Sequence, residues 1–294
     1  MKITFHVIAI LLSTWFSLVS YAEIDNPQKS RASYWAEDGT NTTQTKEELP
    51  FIERKELFQS LKSEGKVVFL DTREQNEYEA SHLPNAVHIP FTKVSEEGKT
   101  LPNSTKTTII PYCNWDFRAY VAGVKLKEMG YSNVRMMYPH GLKGWMASGL
   151  PLAGKGPGKS DAIAQAELTK MLDQNLAANP YDQLGNVSQS RKTETKQITM
   201  RLLKKHIEPR HIQASVGDHL ILNLSAEEED HWFVIPDFGI NLKLKQGEKK
   251  TVQINLAKSG YFPYGCISCC MRYQCQVRQA ILADLKTDPS FFGE

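Results

Sequence analysis

The hydrophobic period of the chain changes near residue 196, so one layered domain cannot accommodate the whole pattern. Before that point, short apolar runs such as Val67-Val68-Phe69-Leu70 and Thr107-Thr108-Ile109-Ile110-Pro111-Tyr112 alternate with helix spacing. Phe117, Tyr120, Val121 and Val124 show that spacing at i, i+3, i+4 and i+7. An α/β domain is expected there. Beyond it, Ile198, Met200 and Leu202 alternate with polar neighbours, as do Ile240, Leu242 and Leu244, and Val252, Ile254 and Leu256. Turn signals at Val216-Gly217-Asp218, Asp237-Phe238-Gly239, Gln246-Gly247 and Ser259-Gly260 separate these runs. That spacing predicts an all-β antiparallel sandwich or barrel. With 294 residues the chain can bury two cores.

Cys113 stands alone between the strand-like run ending at Tyr112 and the helix-like run starting at Phe117. Such a loop surrounds a thiol with backbone N–H groups, and the dipole of the helix start lowers its pKa and favours anions. Cys113-Asn114-Trp115-Asp116-Phe117-Arg118 therefore reads as a site. Cys113 would be its nucleophile, Asn114, Trp115, Asp116 and Phe117 would line the substrate, and Arg118 would close the far end. The bland alternative is a buried cysteine that fills space.

The flanking residues add weight to the first reading. Asp71-Thr72-Arg73, Glu77-Tyr78, His82-Leu83-Pro84-Asn85-Ala86 and Ile89-Pro90 precede the loop. Gly130-Tyr131, Asn133-Val134, Gly141, Trp145 and Gly149-Leu150-Pro151 follow it. In this order they resemble the rhodanese family over residues 47–152, with its strand-Asp-x-Arg, Glu-Tyr, His-Ile-Pro-Gly-Ala and Cys-x-x-Gly-x-Arg motifs. The resemblance implies sulfur transfer. The Cys113 thiolate would attack a sulfane sulfur donor, become a persulfide and pass the sulfur to a thiol or other nucleophile. Arg118 and the loop amides would bind the anionic donor. Two positions depart from the pattern: Asp116 replaces a usual glycine, and His140 replaces the first glycine of the Gly-Gly…Trp motif. A carboxylate beside Cys113 opposes thiolate formation and repels an anionic donor, unless it points to solvent or pairs with Arg118. Thiosulfate therefore has a weaker warrant than the fold.

Four of the five cysteines fall in Gly265-Cys266-Ile267-Ser268-Cys269-Cys270-Met271-Arg272-Tyr273-Gln274-Cys275, and His231 precedes them. Over residues 197–287 this order resembles the cupredoxin-like copper domain of cytochrome oxidase subunit II and nitrous-oxide reductase. The resemblance implies His231, Cys266 and Cys270 as ligands. The family's second histidine falls at Gln274 and its methionine at Val277, so a binuclear copper centre is not expected to be intact. Cys269 and Cys275 add thiols, and a thiolate-rich site with one imidazole suits Cu(I), or tetrahedral zinc. Disulfides such as Cys266–Cys275 are the alternative in an oxidising compartment, with metal placed ahead of them. His206, His211 and His219 are read as surface or core histidines.

Residues 1–22 read as a signal peptide: Lys2, the apolar run from Val7 to Val19, then Ser20-Tyr21-Ala22 before Glu23. The run is short for a membrane span, which needs about 20 residues, so a soluble exported protein, most simply periplasmic, is expected. The Asn-x-Ser/Thr triplets at Asn41, Asn103, Asn186 and Asn223 would bear on a eukaryotic secretory route instead. Residues 23–46 form a polar segment. Residues 153–196 form a linker carrying a helix from Ser160 to about Ala177, and 288–294 form a tail. With 35 basic and 33 acidic residues, no nucleic-acid partner is indicated. The expected partners are a small sulfur donor, an acceptor and a redox protein. The competing function is a non-catalytic copper-handling or electron-transfer protein that uses the rhodanese fold for recognition.

Overall fold

The computed structural model describes residues 49–63, 66–138, 140–156, 160–174, 192–269 and 279–285. The segments read as signal peptide, polar N-terminal stretch and tail lie outside the described residues, as do Cys270, Gln274, Cys275 and Val277.

The first layer is a parallel sheet. Its strands are β1 (Phe51–Ile52), β2 (Val67–Asp71), β3 (Val87–His88), β4 (Thr108–Tyr112) and β5 (Met136–Met137). They pair as β3-β2-β4 and β1-β5, and the parallel bridge between Ile109 and Val134 joins the two pieces. Helices α1 (Arg54–Leu61), α2 (Gln75–Ala80), α3 (Val94–Glu97), α4 (Phe117–Glu128), α5 (Gly141–Ala147) and α6 (Asp161–Asp173) surround it. Phe69, Leu70, Ile109 and Ile110 are all buried. A parallel strand covered on both faces reads as a continuous apolar run instead of an alternating one. In α4 the buried face includes Phe117, Tyr120 and Val121, which orients the helix start toward the end of β4.

Helix α6 falls in the stretch read as linker, yet Leu168 and Leu172 join the same core as Phe69 and Trp145. Ser160 occupies its N-cap without a side-chain bond to the helix. Asp161 reaches out to the Asn85 N–H at 2.5 Å and to His82 Nε2 at 3.4 Å. The helix is described as far as Asp173, and the expected end near Ala177 lies outside the described residues.

The C-terminal region is rich in sheet. It contains β6 (Thr195–Leu202), β7 (Ile207–Glu208), β8 (His211–Ala214), β9 (His219–Ala226), β10 (His231–Ile235) and β11 (Ile240–Leu244). β12 (Lys249–Asn255), β13 (Gly260–Pro263), β14 (Gly265–Cys266) and β15 (Ala280–Ala283) follow. Three sheets, β12-β9-β6-β7, β11-β10-β14 and β13-β15-β8, enclose one core including Leu222, Leu224, Phe233, Leu242, Ile254 and Tyr264. The purely antiparallel expectation is corrected. β6 pairs with β9, and β15 with β8, in parallel. Between β6 and β9 the chain passes through β7 and β8, a connection long enough to return to the starting end, which a hairpin is not. The alternation survives in β9, but β10 is buried at every position. Its Trp232 packs against Phe91 of the α/β layer, so the second face of that strand is also covered.

Candidate functional site

Cys113 directly follows β4 and is 3% exposed and free of any disulfide. The loop is held from behind by the start of α5: Leu142 N–H donates to Cys113 O at 2.8 Å and Lys143 N–H to Asn114 O at 3.3 Å. This approach requires a glycine at 141. A Cβ there would stand 2.8 Å from Asn114 O, and φ is +53°. With its carbonyls bonded outward, the loop turns N–H groups toward the sulfur, and those of Ala119 and Trp115 favour the thiolate. They do not prevail. Burial pushes the Cys113 thiol above its ordinary pKa, Arg118 opposes this, and Asp116 adds to it. The expected lowering by the helix dipole is thus corrected: enclosure costs the thiolate more than the loop returns.

Arg118 is held by Glu77, with Nη1 donating to Oε2 at 2.6 Å and Nη2 to Oε1 at 2.9 Å. Asn114 Nδ2 donates to the same carboxylate at 3.1 Å. Burial opposes ionisation of Glu77, but Arg118 holds its carboxyl below the usual range. Glu77 lay in the Glu-Tyr motif; that it fixes two loop side chains was not legible from spacing.

Asp116 adopts φ +70°, the left-handed conformation that glycine takes at no cost. It neither faces solvent nor pairs with Arg118, correcting both expectations. Its Oδ2 lies 2.8 Å from His140 Nδ1, and both residues are fully buried. His140 Nε2 lies 3.2 Å from Tyr261 O and 3.9 Å from Asp237 Oδ2, so the link crosses to the C-terminal region. Acceptors face both ring nitrogens, and a doubly protonated imidazole satisfies both. Burial opposes that charge, yet Asp237 and Asp116 raise the His140 pKa above its ordinary value. Burial also raises Asp116, and it lifts Asp237 to about 6 against the pull of His140 and Lys258. Asp237 was visible only as part of a turn signal.

All three shifts are upward, so folding takes up protons here. The associated stability is complete below the ordinary carboxyl values and is lost as pH rises through about 6 for Asp237 and further for His140. Asp237→Asn stays neutral throughout. Wild type should therefore lose melting temperature relative to this variant as pH rises from about 4 to about 6, between the ordinary aspartate value and that of folded Asp237. Parallel melting curves would contradict the assignment.

The second cluster lies in the C-terminal region. His231 opens β10, fully buried, with Nδ1 3.2 Å from the sulfurs of both Cys266 and Cys269. Cys266 sits in β14 opposite Phe233. Cys269 N–H donates to Cys266 Sγ at 3.2 Å. The nearest ligand atoms of the three residues lie within 4.8 Å of one another. The structure bridges Cys266 to Cys269, where the disulfide alternative had named a pairing such as Cys266–Cys275. Reduced, the cluster offers one imidazole and two thiolates, a donor set that fits a soft ion. Cys269 supplies the sulfur seen beside His231 and Cys266; Cys270 and Cys275, also expected as ligands, lie outside the described residues. His219 and His206 stand apart, on Asn255 and Glu208 respectively.

Residues 54–148 match the family model for the rhodanese-like domain. YrkF of Bacillus subtilis (strain 168), a protein named for a sulfur-carrier role, is 29% identical over 107 residues, 36% of this chain and 56% of that protein. The chain thus spans little more than half the length of this relative. A rhodanese with anions from E. coli is 31% identical, with a TM-score of 0.24 over 26% of this chain and 88% of that one. The metal-binding domain of a Cu(I)-exporting P-type ATPase, CopA of Streptococcus pneumoniae D39, is 14% identical, with a TM-score of 0.26 over 32% and 90%. Neither structural score carries an argument. The family match and the parallel sheet with its cysteine loop agree that the chain contains a rhodanese-like domain.

Proposed function

We propose that this rhodanese-like domain carries sulfane sulfur on Cys113, in an exported protein whose C-terminal region is a cupredoxin-like copper module. The observation that carries the reading is the Cys113 loop: a free thiol at the end of a parallel strand, with two backbone N–H groups favouring its thiolate and Arg118 opposing its burial. The thiolate attacks the outer sulfur of a donor such as thiosulfate. The S–S bond breaks, sulfite leaves with the bonding electrons, and Cys113 becomes a persulfide. An acceptor thiolate then attacks the outer sulfur and Cys113 departs as thiolate. Incubation with a persulfide donor should add one sulfur atom to the protein, located on Cys113 by peptide mass and removed by cyanide. A donor-treated protein of unchanged mass would refute the reading.

Copper is proposed for the second cluster, with Cu(I) favoured and zinc possible, because thiolates select the reduced ion. His231, Cys266 and Cys269 would hold it, with Cys270 and Cys275 as further thiols. Reduced protein should bind Cu(I) stoichiometrically without the purple spectrum of a mixed-valence pair. Cys266→Ser and His231→Ala should each weaken binding by more than the roughly 10–100-fold that loss of a supporting outer-shell group costs, and His211→Ala should not. Equal affinity in all four proteins would remove copper from the proposal. A second reading, a copper-handling or electron-transfer protein that uses the α/β domain for recognition, is favoured by the near-complete burial of Cys113. Absence of turnover in every redox state of the protein would select it. Periplasmic export is tested by the mature N-terminus, expected at or near Glu23, in the soluble extracytoplasmic fraction.

A further inference from the structure

The strand pair that carries the Cys266 cluster turns its other face to the α/β domain beside the Cys113 loop. β14 pairs with β10, Gly265 opposite Val234 and Cys266 opposite Phe233. Successive residues of a strand point to opposite faces. Cys266 faces the C-terminal core and His231. Gly265 faces Phe117, immediately beyond the Cys113 loop: a Cβ there would stand 2.8 Å from Cζ and 2.9 Å from Cδ2 of that ring. β10 repeats the arrangement. His231 lies against the sulfurs, and the next residue, Trp232, packs on Phe91 with ring centroids 6.3 Å apart. The Trp232 N–H donates to Ser268 Oγ at 3.1 Å, and that hydroxyl lies 3.2 Å from Cys266 Sγ. Tyr261 extends the same surface over Trp115, with ring centroids 6.2 Å apart, and accepts from His140.

The back of the strand pair that carries His231 and Cys266 therefore lies on Phe117 and Phe91, beside the Cys113 loop. β14 has only two residues and two partners on β10. The Cys266–Cys269 bond ties it to the turn that follows, and that turn places Ser268 on the Trp232 N–H. Breaking the bond removes the covalent tie from the part of the cover that presses on Phe117.

We propose that the C-terminal domain is a redox-governed cover over Cys113, shut while Cys266 and Cys269 are bridged and loosened when the bridge is reduced. The reductant is a dithiol. One of its thiolates attacks a bridge sulfur, its second thiol resolves the mixed disulfide, and two electrons and two protons end on Cys266 and Cys269. This deepens the sulfur-transfer reading by naming what regulates Cys113, and it rests on that reading. The cover itself is measured without any sulfur chemistry.

The experiment is alkylation of the full, metal-free chain by iodoacetamide, with the adduct on Cys113 located and timed by peptide mass. Three forms are compared: oxidised wild type, wild type reduced and freed of reductant, and the Cys266→Ser/Cys269→Ser double variant. Cys113 should react about tenfold or more faster in the second and third forms than in the first, as expected where local opening limits access. The double variant should ignore reductant. Gly265→Ala, which forces Phe117 aside, should speed the oxidised form while circular dichroism shows the chain folded. Reaction of oxidised wild type at the rate seen in urea would overturn the cover. Equal rates in the three forms would overturn its control by the cysteine pair. Alkylation that responds as stated, in a protein that takes up no sulfur in any form, would retain the cover and overturn the sulfur-transfer reading instead.

Discussion

Cys113→Ser should give a folded protein that takes up no sulfur and transfers none, a loss of about a thousandfold or more for removal of a covalent nucleophile. The chemistry demands it: a serine hydroxyl is not a thiolate at neutral pH and forms no persulfide. The substitution is also mild for the fold. The hydroxyl occupies the space of the thiol, and the Trp115 and Ala119 N–H groups that face the sulfur can be accepted by oxygen. A stability loss of about 1 kcal/mol is expected, ordinary for a point variant. Sulfur uptake, transfer to a thiol acceptor and urea unfolding measured on one preparation separate the two effects. Transfer at the wild-type rate by the serine protein would place the sulfur elsewhere. If wild type accepts sulfur from a persulfide but not from thiosulfate, the Asp116 carboxylate is responsible, and Asp116→Gly should then raise the thiosulfate rate.

The largest effect on stability is expected from His140→Ala. His140 lies fully buried between Asp116, fully buried itself, and Asp237, 3% exposed. Removing the imidazole leaves two enclosed carboxylates facing each other with no cation between them. Deleting the cationic partner of buried acids costs up to about 3–5 kcal/mol, because the acids must stay charged without it or take up protons. Urea unfolding at pH 7 should show that loss, together with faster alkylation of Cys113, since this link joins the two layers. Pairing the change with Asp116→Gly removes one stranded carboxylate and suits φ +70°. The double variant should thus be more stable than His140→Ala alone. A single variant as stable as wild type would mean that the three groups do not act as a charged unit.

The sequence by itself determined the elements and the reactive loop. Continuous apolar runs at β2 and β4 followed from burial on both faces, and the i, i+3, i+4 spacing after Cys113 followed from the packed face of α4. Each is a local pattern, readable without knowing what covers it. The same holds for the proximity of His231 to the late cysteines only because a family resemblance supplied it; nothing in the spacing selects Cys269 as the neighbouring thiol. What the tertiary structure alone decided is where the charges go. Asp116 departed from a glycine pattern and read as an acid opposing the Cys113 thiolate unless it faced solvent or paired with Arg118; it does oppose the thiolate, but it is sealed against His140, and Arg118 belongs to Glu77. These partners are apart in sequence and meet through the folding of the α/β layers, and His140 then extends the link to Tyr261 O of the C-terminal sheets. Parallel pairing of β6 with β9 was hidden for the same reason: alternation reports which face of a strand is buried, not which strand lies beside it. The ionisation of Cys113 follows from enclosure, a property of the whole fold. The dipole of a helix start can be read from a dozen residues, but the desolvation that outweighs it can only be read from the packed fold.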